Sequence, residues 1–278
     1  MPRAALIAAG VVFMAAAIFV AQYLPTPEDE SGSPNAEDIS TLYSWGIALG
    51  TIIFVIVEGV LIYSLVKFRA RRGGPEPAQI RGNTTLEVSW TIGAALFLVI
   101  LTTVTFIYLG DIESPQASKP ESELSGLKFA ALDQGSVPGE DDPFTVRVNG
   151  QQYLWRYDYH KPGETPLYNY HDLYVPVGRT VVLKIQSSDV VHSWWIPELG
   201  PKTDATPGHT NDTWFRVDKA GEYLGECAEL CGDNHADMRA RVIALPRDEF
   251  EAWRKRQAED LKQSQAYLSL QRKVRGEN

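Results

Sequence analysis

Apolar residues follow two regimes along this 278-residue chain: long unbroken runs before about residue 110, then short stretches that alternate with polar residues. Three of the runs approach the ~20 residues needed to cross a hydrocarbon layer. Residues 1–24, apolar behind Arg3, read either as a removed signal peptide or as an uncleaved first anchor. No small-x-small cleavage site closes that run, and Ala15-Ala16-Ala17 falls in its middle. Residues 42–68 and 88–109 each read as a transmembrane helix, long enough to span with some tilt. Lys67, Arg69, Arg71, Arg72 and Arg81 lie in or beside the 69–87 loop, which places that loop in the cytoplasm. The acidic 25–41 linker and everything beyond residue 110 then lie outside. Glu58 falls inside the second run, where a carboxylate needs a protein or water partner; a packing contact with another subunit is the plainer reading. Glu87 opens the third run, a place that favours an acid on helix-dipole grounds.

After a Ser-, Pro-, Glu- and Gly-rich linker (110–142), residues 143–246 read as one domain of short strands. Phe144–Val148 alternates, and Asn149-Gly150 predicts a hairpin turn before a strand over 151–159. Further strands are predicted over 173–177, 180–186, 213–217 and 222–225. Residues 238–245 put Met238, Ala240, Val242 and Ala244 on one side. Such a series implies a sandwich or barrel with Greek-key connections. The 247–278 segment predicts a helix capped by Asp248, with Phe250 and Trp253 one turn apart on its packed side and a charged, frayed end.

The formal net charge of −9 argues against nucleic acid and for a cationic partner. Only two cysteines are present, and both fall in Cys227-Ala-Glu-Leu-Cys231-Gly-Asp-Asn-His235-Ala-Asp-Met238. A structural disulfide is the bland reading of two cysteines in an exported domain. Thiols, imidazole and thioether at this density instead form the mixed soft and borderline donor set that copper prefers. Gly232-Asp233-Asn234 is turn chemistry, so the cluster lies on a loop rather than a helix. His192, in Asp189-Val-Val-His192-Ser-Trp-Trp-Ile-Pro, supplies a second imidazole. Two thiolates can bridge two metals, each with one histidine nitrogen, leaving Met238 and a backbone carbonyl for the weak axial positions.

These stretches, with Leu86-Glu-Val-Ser-Trp90-Thr and Lys202-Thr-Asp-Ala-Thr-Pro-Gly208, resemble subunit II of haem-copper cytochrome c oxidases. The resemblance implies a membrane-anchored, mainly-β fold: two or three N-terminal transmembrane helices, a cupredoxin-like Greek-key barrel and a C-terminal helix. It implies a binuclear CuA copper centre on His192, Cys227, the carbonyl of Glu229, Cys231, His235 and Met238. The Glu229 side chain would hold a magnesium shared with subunit I, which Asp204 would also meet. Glu87 would stand at the mouth of a proton path. The implied role is to receive electrons from an external cytochrome c-type or small copper-protein donor. They would pass to haem in subunit I for oxygen reduction and proton pumping, with no catalysis by this chain alone. Subunits I and III, membrane lipid and the external face of a prokaryotic plasma membrane complete the setting.

One departure concerns where electrons enter. The family's Gly-x-Gln-Trp-Tyr-Trp is here Gly150-Gln-Gln-Tyr153-Leu-Trp155, with tyrosine at the first tryptophan position. Strand parity puts Tyr153 and Trp155 on one side, so both are candidates to present a ring to the donor. The acid-rich run from Glu198 to Asp237 is suited to steering a basic haem protein. No Cys-x-x-Cys-His is present, so the donor is a separate protein.

Overall fold

The computed structural model describes residues 15, 19, 32–69, 78–115, 144–159 and 166–276. The 1–24 segment apart from positions 15 and 19, Arg71, Arg72 and Glu76 of the basic loop, and linker residues 116–142 lie outside the described residues. Among the described residues, two helices are long and apolar enough to cross a membrane: α1 (Pro34–Lys67) and α2 (Thr84–Glu113).

Both helices outrun the apolar stretches that predict them, because polar contacts extend their ends. Pro34 has its φ pre-set for a first helical turn, and Asn35 and Ala36 behind it are fully buried. The Asn35 amide donates to the Trp214 carbonyl at 2.8 Å, and the Ser33 hydroxyl accepts from the Arg216 amide at 3.1 Å. Near the end of α2, the carbonyl of Ile112 accepts from the Trp214 indole at 2.9 Å. Residues 27–40 and 110–278 accordingly form one compact unit, and the remaining helical segments form another. At the start of α2, Asn83 Oδ1 accepts from the Leu86 amide while Glu87 Oε1 accepts from the Asn83 amide at 3.1 Å, a reciprocal cap.

Among the described residues, the β unit holds ten strands in two sheets. β1 (Phe144–Gln151), β2 (Leu154–Asp158), β3 (Tyr168–Tyr170), β5 (Thr180–Ser187) and β8 (Asn211–Arg216) form the first, in the order β3-β2-β1-β5-β8. The second runs β4-β10-β9-β6-β7, from β4 (Asp172–Pro176), β6 (His192–Trp195), β7 (Thr203–Ala205), β9 (Gly221–Cys227) and β10 (Arg239–Leu245). β1 pairs parallel to β5, and β4 parallel to β10, while the other pairings between these strands are antiparallel. The chain thus changes sheets repeatedly, as a Greek-key barrel requires. Alternation drives this closure: Val146 and Val148 of β1, Trp155 and Tyr157 of β2, and Ala240, Val242 and Ala244 of β10 all point into one core. Full burial of a valine or leucine side chain is worth about 1.5–3 kcal/mol.

Two local expectations are corrected. The turn between β1 and β2 is Gln152-Tyr153, not Asn149-Gly150; Gly150 lies within β1 opposite Trp155. Its missing side chain serves close approach instead, since a Cβ there would stand 3.0 Å from His192 Cδ2 and 3.1 Å from Trp155 Cζ3. The C-terminal helix, α3 (Arg247–Val274), takes Pro246 as its N-cap residue, with no side-chain cap bond, and carries Asp248 in its first turn. It remains helical through the charged end expected to fray.

α3 is held by aromatic rings. Trp253 stacks on Tyr174 with centroids 4.4 Å apart, and Phe250 meets Phe144 edge-on at 5.6 Å. Trp253→Ala is expected to cost about 3 kcal/mol of helix docking. Amide exchange over residues 250–257 should then rise by more than about tenfold while β10 stays protected.

Candidate metal centre

β9 and β10 run antiparallel with Glu226 opposite Arg239, and one further bond, from the Cys227 amide to the Met238 carbonyl at 3.0 Å, closes the ladder. The loop 228–237 is therefore pinched at its base by two of the candidate ligands. Within it, the Gly232 carbonyl accepts from His235 and the His235 carbonyl accepts from Met238, winding His235–Asp237 into a 3-10 turn. Gly232 has φ +132°, which no residue with a side chain adopts cheaply. β6 brings the fifth side chain: Trp194 pairs with Cys227, so His192 reaches the same end of the barrel.

The donors converge. Cys227 Sγ lies 3.9 Å from Cys231 Sγ, 3.9 Å from His192 Nδ1 and 3.3 Å from the Glu229 carbonyl. Cys231 Sγ lies 3.6 Å from His235 Nδ1 and 3.9 Å from Met238 Sδ. The ligand atoms of His192, Cys227 and Cys231 all lie within 4.8 Å of one another. The two cysteines are free thiols, nearly twice a disulfide bond length apart.

Asp189 orients the first histidine. Partial burial alone would raise its carboxyl pKa. Hydrogen bonds from the Gln152 amide, the His192 ring, the Val190 amide and the Ser187 hydroxyl outweigh that and hold it at about 2. An ionised carboxylate only accepts, so His192 Nε2, 2.8 Å away, donates to it, which turns Nδ1 toward Cys227. Burial and the neighbouring Cys227 push the Cys231 thiol up to about 11, so without a cation Cys231 stays protonated at neutral pH.

The other candidates are spread out. Trp155 is wholly buried, its ring 5.9 Å from that of His192, and so presents nothing to an external donor. The parity argument fails because Tyr153 belongs to the turn, whereas Trp155 points into the core from β2. Tyr153 is half-buried beside the ligand loop, its hydroxyl against Gly232. Asp204 is exposed in β7 opposite Ser193, and the Glu229 side chain is exposed. Glu87 caps α2. Neither Asp189 nor Gln152 stands out in the sequence as functional; only the place of Asp189, three residues before a candidate ligand, points to its use.

Models of the cytochrome c oxidase subunit II family match this chain over residues 22–107, as its transmembrane domain, and 161–245, as its periplasmic domain. The probable cytochrome c oxidase subunit 2 of Rickettsia bellii is 30% identical over 264 residues, covering 88% of this chain and 89% of that one. The chain belongs to the cytochrome c oxidase subunit II family. The subunit 2 of Alkalihalophilus pseudofirmus is 35% identical over 221 residues, 79% of this chain and 58% of that protein, so the match spans little more than half of the latter's length. Among solved structures, the periplasmic domain of subunit II of cytochrome oxidase from Bradyrhizobium japonicum aligns at 29% identity and TM-score 0.41, covering 44% of this chain and 97% of that one. The two long apolar helices followed by a β-barrel correspond to the transmembrane and periplasmic domains of the subunit II family.

The donor set fits the copper that the family implies. Two closely spaced thiols, two imidazole Nδ1 atoms, a buried thioether and a carbonyl form a sulfur-rich site unlike a zinc tetrahedron, for which methionine is a poor ligand. Around it, the acidic surface divides. Asp212, Asp218, Glu222 and Glu226 pair with Lys184, Arg216, Arg241 and Arg239. Glu229, Asp233 and Asp237 remain exposed on the ligand loop itself, beside Leu230, 78% exposed.

The raised Cys231 pKa has a sign that can be measured. In the metal-free protein the unfolded chain ionises first, near its ordinary value of 9.0, and the folded one only near 11. Stability present below pH 9 should therefore fall between pH 9 and 11. In Cys231→Ser, the denaturant midpoint should decline less over that interval.

Proposed function

We propose that this chain is the subunit through which electrons enter a haem-copper oxidase, using a binuclear CuA centre built on the thiol–imidazole cluster. The observation that carries the reading is the convergence of both thiols, both Nδ1 atoms and the Met238 sulfur at one end of the barrel. Cys227 and Cys231 would hold the copper as thiolate donors, His192 and His235 as nitrogen donors, and Met238 and the Glu229 carbonyl as weak donors. Copper held this way supplies a one-electron carrier whose redox change is shared over two metals. The protein's own part is to hold six donors in place: the β9–β10 ladder fixes Cys227 and Met238, and Asp189 fixes the His192 tautomer. Burial of Cys227, Cys231, Met238 and His192 keeps water from competing with them.

The donor would be a separate, basic cytochrome c-type or small copper protein, steered by Glu229, Asp233 and Asp237 and received at the partly exposed Tyr153. Electrons would continue to haem in subunit I, where oxygen is reduced and protons are pumped. Subunits I and III would cover apolar faces of α1 and α2, with lipid on the rest. Asp204 and the Glu229 carboxylate would face subunit I, the latter through a shared magnesium. Glu87 would serve a proton path from its capping position. The barrel would stand on the external face of a prokaryotic plasma membrane, with the 69–87 loop in the cytoplasm.

Metal analysis and paramagnetic resonance on the full chain in detergent test this directly. Two coppers sharing one unpaired spin are expected; one copper with a localised spin would overturn the binuclear assignment. Met238→Leu should retain copper and shift its reduction potential, and an unchanged potential would remove Met238 from the ligand set. Tyr153→Ala should slow reduction by an external cytochrome while leaving the copper spectrum intact. An unchanged rate would place electron uptake elsewhere.

A further inference from the structure

Gln152 occupies the β1–β2 turn, in the sheet that supplies none of the candidate ligands, yet it touches both halves of the site. Its backbone N–H donates to Asp189 Oδ2 at 2.7 Å, and its side-chain Nε2 donates to the Cys231 carbonyl at 2.6 Å. Asp189 Oδ1 in turn accepts from His192 Nε2 at 2.8 Å. An unbroken chain of hydrogen bonds thus runs from the ring of one candidate ligand, through a carboxylate and a glutamine, to the backbone of another. Two glycines clear its path. A Cβ on Gly232 would stand 2.9 Å from Gln152 Nε2 and 2.5 Å from the Tyr153 hydroxyl; one on Gly150 would crowd the His192 ring at 3.0 Å.

We propose that Gln152 is a positioning residue that couples the His192 strand to the Cys231 loop, setting the spacing of the two ligand groups through one turn. This inference rests on the copper reading above. The turn acts as a strap: its backbone arm holds the histidine through Asp189, and its side-chain arm holds the loop. Loss of either arm frees one ligand group to move against the other. Gly232 is required because the strap passes where its side chain would be, not only because of its φ. Mutation of hydrogen-bond partners behind metal ligands typically costs about 10- to 100-fold in affinity.

The test uses the full chain in detergent, loaded with copper, comparing wild type, Gln152→Ala, Gln152→Glu, Asp189→Asn and the Gln152→Ala/Asp189→Asn double variant. Copper release to a chelator, hyperfine splitting and reduction potential are measured, with the thermal midpoint of each metal-free protein alongside. Gln152→Glu keeps the size and the backbone bond but cannot donate to the Cys231 carbonyl, so it decides the matter if the alanine variant fails to fold. Gln152→Ala and Gln152→Glu are expected to release copper about tenfold faster or more and to change the hyperfine splitting. The double variant should do little worse than the worse single one, because both changes cut one chain. Unchanged splitting, potential and release in Gln152→Glu would overturn the proposal, as would a lowered thermal midpoint alone. Strictly additive effects would also overturn it, since the arms would then act separately. Failure of the wild type to show a shared spin would instead overturn the copper reading.

Discussion

The bond from the Cys227 amide to the Met238 carbonyl is the constraint on which the barrel's chemistry depends. It extends the β9–β10 ladder by one rung and forces the ten intervening residues to leave and return at the same point. A loop so closed cannot spread its donors apart, and the 3-10 turn at His235–Asp237 folds the imidazole back over the thiols. Contacts of 3.6–3.9 Å among sulfur and nitrogen follow from this backbone geometry before any metal is considered. The cost falls on Cys231, whose burial beside Cys227 disfavours ionisation. A cation relieves that penalty, which couples metal affinity to folding.

Much of this was legible in the chain. Alternation placed Ala240, Val242 and Ala244 of β10, and Met238 just before it, on one inward side, and the Cys-x3-Cys-x3-His-x2-Met spacing named the donors that the fold brings together. The misreadings share a cause. Gly150 is read as turn chemistry because a glycine's local freedom is visible in a sequence, whereas the distant ring that demands its small size is not. Trp155 is placed beside Tyr153 by parity because the turn's position decides which residues parity applies to. The helix start at Pro34 lies before the apolar run because Asn35 is buried by a strand 179 residues away, a partner no local window contains.

Net charge likewise misleads when taken as a sum. Of the acids between Glu198 and Asp237, four close ion pairs with cations of the same barrel and serve its surface. The remaining acids of the ligand loop, Glu229, Asp233 and Asp237, are exposed, as is Leu230 on the same loop. That division, rather than the formal −9, is what bears on association.

The two parts of the β unit, 27–40 and 110–278, are separated in sequence by most of both long helices, and this has a consequence in time. Asn35 is synthesised 179 residues before the Trp214 carbonyl it binds. At ~5–20 residues per second, it waits roughly 10–35 s for its partner to leave the ribosome. Throughout that interval the start of α1 must rely on water or on helper proteins for its hydrogen bonds. The β unit can therefore close fully only after both long helices have been synthesised, which makes its closure a late event.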